Sequence, residues 1–353
     1  MLWSTTVCLS TNETQAATPQ RLDTPHPSKK AIVLVSQHRA AGVAIPQELI
    51  ANARLVDIVA PMWLDATDEG AIVPAKGCSG PYTEYLKFCQ AHNIWLMPIV
   101  RNFAPQALLC DPAALKRCAQ EIVTVVQQEG FDGIVVDIEQ MQPDLQPSLG
   151  NLMRELYPLM QRQGRKVCIA VNARSWGRWD YHGLAQASDW LYVMFYDYTG
   201  PWNKKLVGPA APIQWPEHTA DIERDLQRIL ATGTPPEKLL FGIPVYGNDF
   251  KLNPASGASA ITTPYLDDLL KLQKEHLAER KWDDVKKCPY FEYADADNVA
   301  HEVWYEDAES FSNKFELALS SRLAGIAVWA LRGTASNVNS DFWATVEKRM
   351  RAD

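Results

Sequence analysis

Two carboxylates two residues apart, Asp137 and Glu139, close the stretch Phe131-Asp132-Gly133-Ile134-Val135-Val136-Asp137-Ile138-Glu139. The stretch follows Gly130 and is apolar apart from its acids, so it reads as a short strand buried on both faces. Side chains alternate along a strand, which puts Gly133, Val135, Asp137 and Glu139 on one side and Ile134, Val136 and Ile138 on the other. Three β-branched residues suit a covering layer of helices. The two acids then lie about 7 Å apart along the strand direction, at its carboxyl end. Acids that close within a parallel α/β sheet are costly unless solvated or used. Paired acids suit glycosidic-bond cleavage, where one protonates the leaving oxygen and another group stabilises an oxocarbenium-like centre.

Such a strand needs neighbours. Short apolar runs recur at 31–36, 56–63, 94–100, 131–139, 166–172, 190–197, 239–246 and 325–331, and helical patterns at 47–54, 82–92, 112–129, 148–163, 181–187, 219–231, 310–322 and 342–350 alternate with them. In 112–129, for example, Leu115, Ala119, Ile122 and Val126 share one face. Eight strands alternating with helices predict an α/β fold, and the count predicts a closed (β/α)8 TIM barrel. An open doubly wound sheet is the structural rival. It would want a glycine-rich phosphate loop after a strand, and neither GxGxxG nor GxxxxGK[ST] is present.

The interval 250–309 is long for a βα connection, where about 2–6 residues is usual. It carries a helical stretch, 263–280, and two strand-like runs, 290–293 and 299–305. A small α+β insertion between strand seven and helix seven is therefore expected. Residues 1–29 are polar and rich in Thr, Gln, Pro and Ser, which predicts a disordered lead; residues 30–353 form the barrel, interrupted by the insertion.

Composition excludes several classes. The net charge is −8 with no basic run, so nucleic acid is not an expected partner. No stretch approaches the roughly 18 continuous apolar residues of a membrane span. The segment Leu2 to Leu9 lacks the basic start and long apolar centre of a signal peptide. The seven cysteines, Cys8, Cys78, Cys89, Cys110, Cys118, Cys168 and Cys288, are scattered without a CxxC, and no histidine sits in a ligand pattern. Neither a zinc site nor a disulfide framework is implied, and no cofactor is expected.

The run Asp132-Gly133-Ile134-x-Val136-Asp137-Ile138-Glu139 resembles the strand-four signature of glycoside hydrolase family 18, the chitinase-like (β/α)8 barrels. Met194-Phe195-Tyr196-Asp197 is similar to the family's strand-six motif, and Gly242-Ile243-Pro244-Val245-Tyr246-Gly247 to its strand-seven run. Trp329, in Ala327-Val328-Trp329-Ala330-Leu331, looks like its strand-eight Trp. These four matches fall in the right order over roughly residues 30 to 350. Their polar residues lie at carboxyl ends of strands, where barrel active sites form.

The resemblance implies roles. Glu139 would be the acid, Asp137 would orient the substrate's N-acetyl group, Tyr196 would hydrogen-bond the acetamide carbonyl, and Asp197 would help hold a distorted sugar. Trp329 would floor the cleavage subsite. Met194, Tyr246, Trp63 and Asn172, near strand ends, are further candidates for substrate contact, and Trp176, Trp179 and Trp202 for outer subsites. The implied activity is retaining, substrate-assisted hydrolysis of β-1,4-linked N-acetylglucosamine glycans, with peptidoglycan slightly ahead of chitin. Such a substrate favours an extracytoplasmic location, and a monomer is expected. A lectin-like sugar-binding protein and an endo-β-N-acetylglucosaminidase acting on N-glycans are the rivals.

One position departs from the pattern. The family usually has an Asp four residues before the Glu, and this chain has Val135. Asp-Ile-Glu, with Met97-Pro98-Ile99-Val100-x-Asn102 on strand three, is nearer to the spore-cortex glucosaminidase and chitobiase-like branch. Without the extra acid, Asp137 has one fewer like charge beside it, and an altered pH dependence is expected.

Overall fold

The computed structural model describes residues 32–37, 44–174, 179–253, 255, 257–331 and 340–351. The expected lead over 1–29 and Trp176 lie outside the described residues.

The helix that delivers the acid strand shows how sequence sets local structure. Asp111 accepts a hydrogen bond from the Ala113 amide, Pro112 occupies the first turn, and Gly130 ends the helix Pro112–Glu129 in the left-handed conformation, φ 73°. Proline there loses no helical hydrogen bond, and glycine adopts positive φ without a steric penalty. The buried face carries Leu115, Ala119, Ile122 and Val126. The Phe131 amide then donates back to the Val126 carbonyl at 3.0 Å, and the chain turns into the strand Gly133–Ile138, buried throughout.

Parallel strands form a closed ring. The first, Ile32–Gln37, pairs with the last, Gly325–Leu331, and with the second. The second is broken into Ile58–Pro61 and Leu64–Ala66, and the third into Trp95–Leu96 and Ile99–Asn102. The leading pieces pair with each other, and so do the trailing pieces. The third strand then joins the fourth, with Ile99 opposite Val135. Lys166–Asn172, Trp190–Met194 and Leu239–Pro244 complete the ring back to Gly325–Leu331. Helices follow the strands on the outside, and the molecule is a (β/α)8 barrel. Among the described residues no helix is long and apolar enough to cross a membrane.

Between strand seven and its helix, Ala308–Ser320, the chain builds a five-stranded antiparallel sheet with the helix Leu266–Glu275. The pair legible in the sequence is there as Cys288–Ala294 against Ala300–Trp304. Three further strands, Asn248–Asn253, Gly257–Thr262 and Lys281–Asp283, were not expected. They read NDFKLN, GASAIT and KWD, too polar or too small to signal a strand without their partners.

Candidate active site

At the carboxyl end of the barrel a cavity of about 110 Å3 is lined by Ile99, Val135, Asp137, Glu139, Ala170, Tyr192, Met194, Tyr196, Asp197 and Trp329. The alternation along strand four puts Val135, Asp137 and Glu139 on the same inward side, as the period of two requires. Asp137 is buried, 4% exposed, and its Oδ1 has no hydrogen-bond partner among the described residues. Glu139, at the strand end, is partly exposed.

Burial drives the electrostatics. It raises the Glu139 carboxyl well above the usual range, and the neighbouring Asp137 and Asp197 carboxylates push the same way. Burial raises Asp137 too, but there the Arg101 guanidinium pulls downward. Asp197 is raised by burial and opposed by the Tyr246 hydroxyl and by Arg174. The Tyr196 and Tyr246 hydroxyls are held well above their normal range by burial, so both remain donors.

The sixth strand supplies one wall. Tyr192 and Met194 alternate inward, and Tyr196 follows just past the strand, its hydroxyl 3.2 Å from that of Tyr192. Asp197 has positive φ, 63°, an uncommon conformation for a residue with a side chain. Its carboxylate accepts from the Tyr246 hydroxyl, and the Tyr246 ring meets Tyr196 edge-on at 6.1 Å. Tyr246 therefore stands behind Asp197 and is not among the cavity's lining residues. Trp329, half-buried in the eighth strand, closes another side.

Besides Tyr246, two more of the expected substrate contacts are placed elsewhere. Trp63 is fully buried, stacked on Tyr82 at 4.6 Å and edge-on to Tyr85 at 4.9 Å, with no surface to offer a sugar. The register agrees: Ala60 pairs with Ser36, which faces Tyr192 across the barrel, so the period of two along strand two gives Trp63 the outward phase. Asn172 uses its side-chain oxygen to cap the Arg174 amide at 2.8 Å and does not line the cavity. Trp179 lies in a separate cleft with Gln146, Arg154 and Asp180, while Trp202 is half-exposed in the loop after strand six.

Three residues beside the site were not singled out from the sequence. Tyr192 shares the inward phase of Met194, so the same period of two would have found it. Arg101 directly follows the apolar run 94–100 and is bonded through Nε to Asp65 at 2.6 Å. Arg174 is buried near Asp197, its guanidinium 5.6 Å from the Tyr198 ring; its position after strand five gave no pattern.

With the barrel and its acid-lined cavity in place, comparison with known proteins gives the class. Residues 102–333 match the family model for glycosyl hydrolases family 18, and the chain belongs to that family. It is 28% identical over 270 residues to the cortical fragment-lytic enzyme of Bacillus subtilis (strain 168), a match covering 71% of this chain and 60% of that protein. It is 27% identical over 278 residues to human di-N-acetylchitobiase, covering 71% and 70% respectively. Among solved structures, chitinase from Chromobacterium violaceum ATCC 12472 superposes with a TM-score of 0.78 at 23% identity, covering 92% of this chain and all of that one. This last likeness is one of fold.

Proposed function

We propose that this chain is a retaining, substrate-assisted glycoside hydrolase acting on β-1,4-linked N-acetylglucosamine glycans. The observation that carries the reading is the convergence of Asp137, Glu139, Tyr196, Asp197 and Trp329 on one cavity, with Glu139 held protonated by burial and two acidic neighbours. A glycosidic oxygen at Glu139 would take its proton as the bond to the anomeric carbon breaks. The substrate's acetamide oxygen would attack that carbon from the opposite face, giving a cyclic oxazolinium ion. Asp137 would accept from the acetamide N–H, and the Tyr196 hydroxyl would donate to its oxygen. Water, losing its proton to the Glu139 carboxylate, would then attack the anomeric carbon and reopen the ring with net retention. Trp329 offers an aromatic face for the sugar, and Asp197, fixed by Tyr246, an acceptor for its hydroxyl groups.

Peptidoglycan-type glycan comes slightly ahead of chitin, a preference supported by the similarity to a cortical fragment-lytic enzyme. A sugar-binding protein without turnover is the second reading, favoured by Val135, which stands where the family usually has a further Asp four residues before the Glu. One experiment separates them: hydrolysis of N-acetylglucosamine oligomers and of peptidoglycan by wild type and Glu139→Gln. Turnover is expected from wild type and a loss of at least about 100-fold from the variant, the span of general acid catalysis. Binding by both proteins with turnover by neither would leave a lectin.

A further inference from the structure

The third strand carries a charge into the barrel that the family signature did not point to. Asp65 on the second strand, Arg101 on the third and Asp137 on the fourth are direct register partners. Register partners in a parallel ladder project to the same face, so the three form one row across the barrel wall, negative–positive–negative. One level below, Ile99 and Val135 are opposite each other and both line the cavity. Arg101 is anchored, its Nε 2.6 Å from Asp65 Oδ1 and its side chain 11% exposed, with the Phe103 ring 5.3 Å from the guanidinium.

The surroundings of the two acids are unequal. Glu139 is faced by Asp137 on its own strand and by Asp197 after the sixth, both acidic. Asp137 is faced by Glu139, by Arg101 from the third strand and by the Tyr192 hydroxyl from the sixth. Arg174 faces Asp197. A buried carboxyl oxygen without a hydrogen bond, such as Asp137 Oδ1, is tolerable as an anion only where a fixed positive charge lies close. Val135 offers neither a proton nor a charge. Arginine suits the task because it stays protonated at any pH the fold survives.

We propose that Arg101 is a positioning residue for the hydrolysis: held by Asp65, its guanidinium favours the anionic form of Asp137 against the burial that opposes it, and so biases the proton of the carboxyl pair toward Glu139. The chain thereby uses a cation on the neighbouring strand where Val135 supplies no acid. The inference rests on the reading of Asp137 and Glu139 as the working pair.

The test uses the full chain with Arg101→Gln and Arg101→Lys, each assayed for kcat/KM against pH on an N-acetylglucosamine oligomer. Loss of the cation raises Asp137, so in Arg101→Gln the acid limb moves to higher pH by about one unit, a roughly tenfold loss on that limb, with a smaller change in KM. Arg101→Lys keeps the charge and holds the limb near its wild-type position. Arg101→Met serves if Arg101→Gln does not fold. A limb that stays put in the neutral variants, or moves equally in Arg101→Lys, overturns the proposal. Infrared titration of the carboxyl band, assigned by subtraction of Asp137→Asn, reads the proton without turnover: the band should appear at higher pH in Arg101→Gln. An Asp137 band titrating identically in both proteins sinks the inference even if wild type hydrolyses none of the glycans, a result that would instead count against the proposed function.

Discussion

In the proposed reaction Glu139 has to be protonated when the glycosidic bond breaks and ionised when water attacks, so its two acidic neighbours would set where on the pH scale it can work. A carboxyl raised by burial keeps its proton through neutral pH and loses activity as pH climbs through its raised value. Removing one negative neighbour lowers that value. In Asp197→Asn the alkaline limb of kcat/KM should therefore move to lower pH by up to about one unit, while kcat falls because the Tyr246–Asp197 contact is weakened. A pH–rate profile with an unmoved alkaline limb would mean that Asp197 is too well screened to act on Glu139. At this scale the sequence was informative wherever strand alternation held: Val135, Asp137, Glu139 and Met194 all face inward as the period of two requires. Nearness to a strand end was a poorer guide: Trp63 lies beside one, but it has the outward phase of strand two and is buried under Tyr82 and Tyr85.

Strands place these side chains only if they pack closely, and Gly242 on strand seven shows how closely. A Cβ there would lie 2.4 Å from the Val193 carbonyl oxygen and 3.0 Å from the Tyr192 ring, both on the sixth strand. Backbone cannot retreat as a side-chain tip can. Gly242→Ala should therefore destabilise the barrel by about 1–3 kcal/mol, the usual range for overpacking, and push Tyr192 toward the cavity. Urea denaturation would read the first effect and KM for an oligomer the second; an alanine variant as stable and active as wild type would show that the sixth strand yields. The barrel itself was legible from eight apolar runs because each strand is buried on both faces and so carries a continuous signal. The insertion's first two strands were not, because Asn248–Asn253 and Gly257–Thr262 face solvent in part and owe their conformation to each other.

The insertion is joined to the barrel through a buried charge pair. Lys314, on the helix that follows the insertion, places Nζ 2.8 Å from Glu306 Oε2 and 3.7 Å from Cys288 Sγ, and its side chain is 0% exposed. Cys288 opens one inner strand of the insertion, and Glu306 follows another, so one cation ties the small sheet to the outer helical layer. Burial raises Glu306, and Lys314 opposes that rise. A pair of this kind adds little stability over an apolar substitute, but breaking it strands a charge in the interior. Lys314→Met should cost about 3–5 kcal/mol in denaturant unfolding, whereas Lys314→Met with Glu306→Gln should recover much of that loss. The consequence reaches the cavity through strand seven. Tyr246 bridges to Tyr265 at the entrance of the insertion and bonds to Asp197 at its other end. A loosened insertion should therefore lower kcat in the single variant and restore it in the double. A single variant costing less than about 1 kcal/mol would mean that the Glu306 carboxyl takes up a proton and the joint holds without its cation.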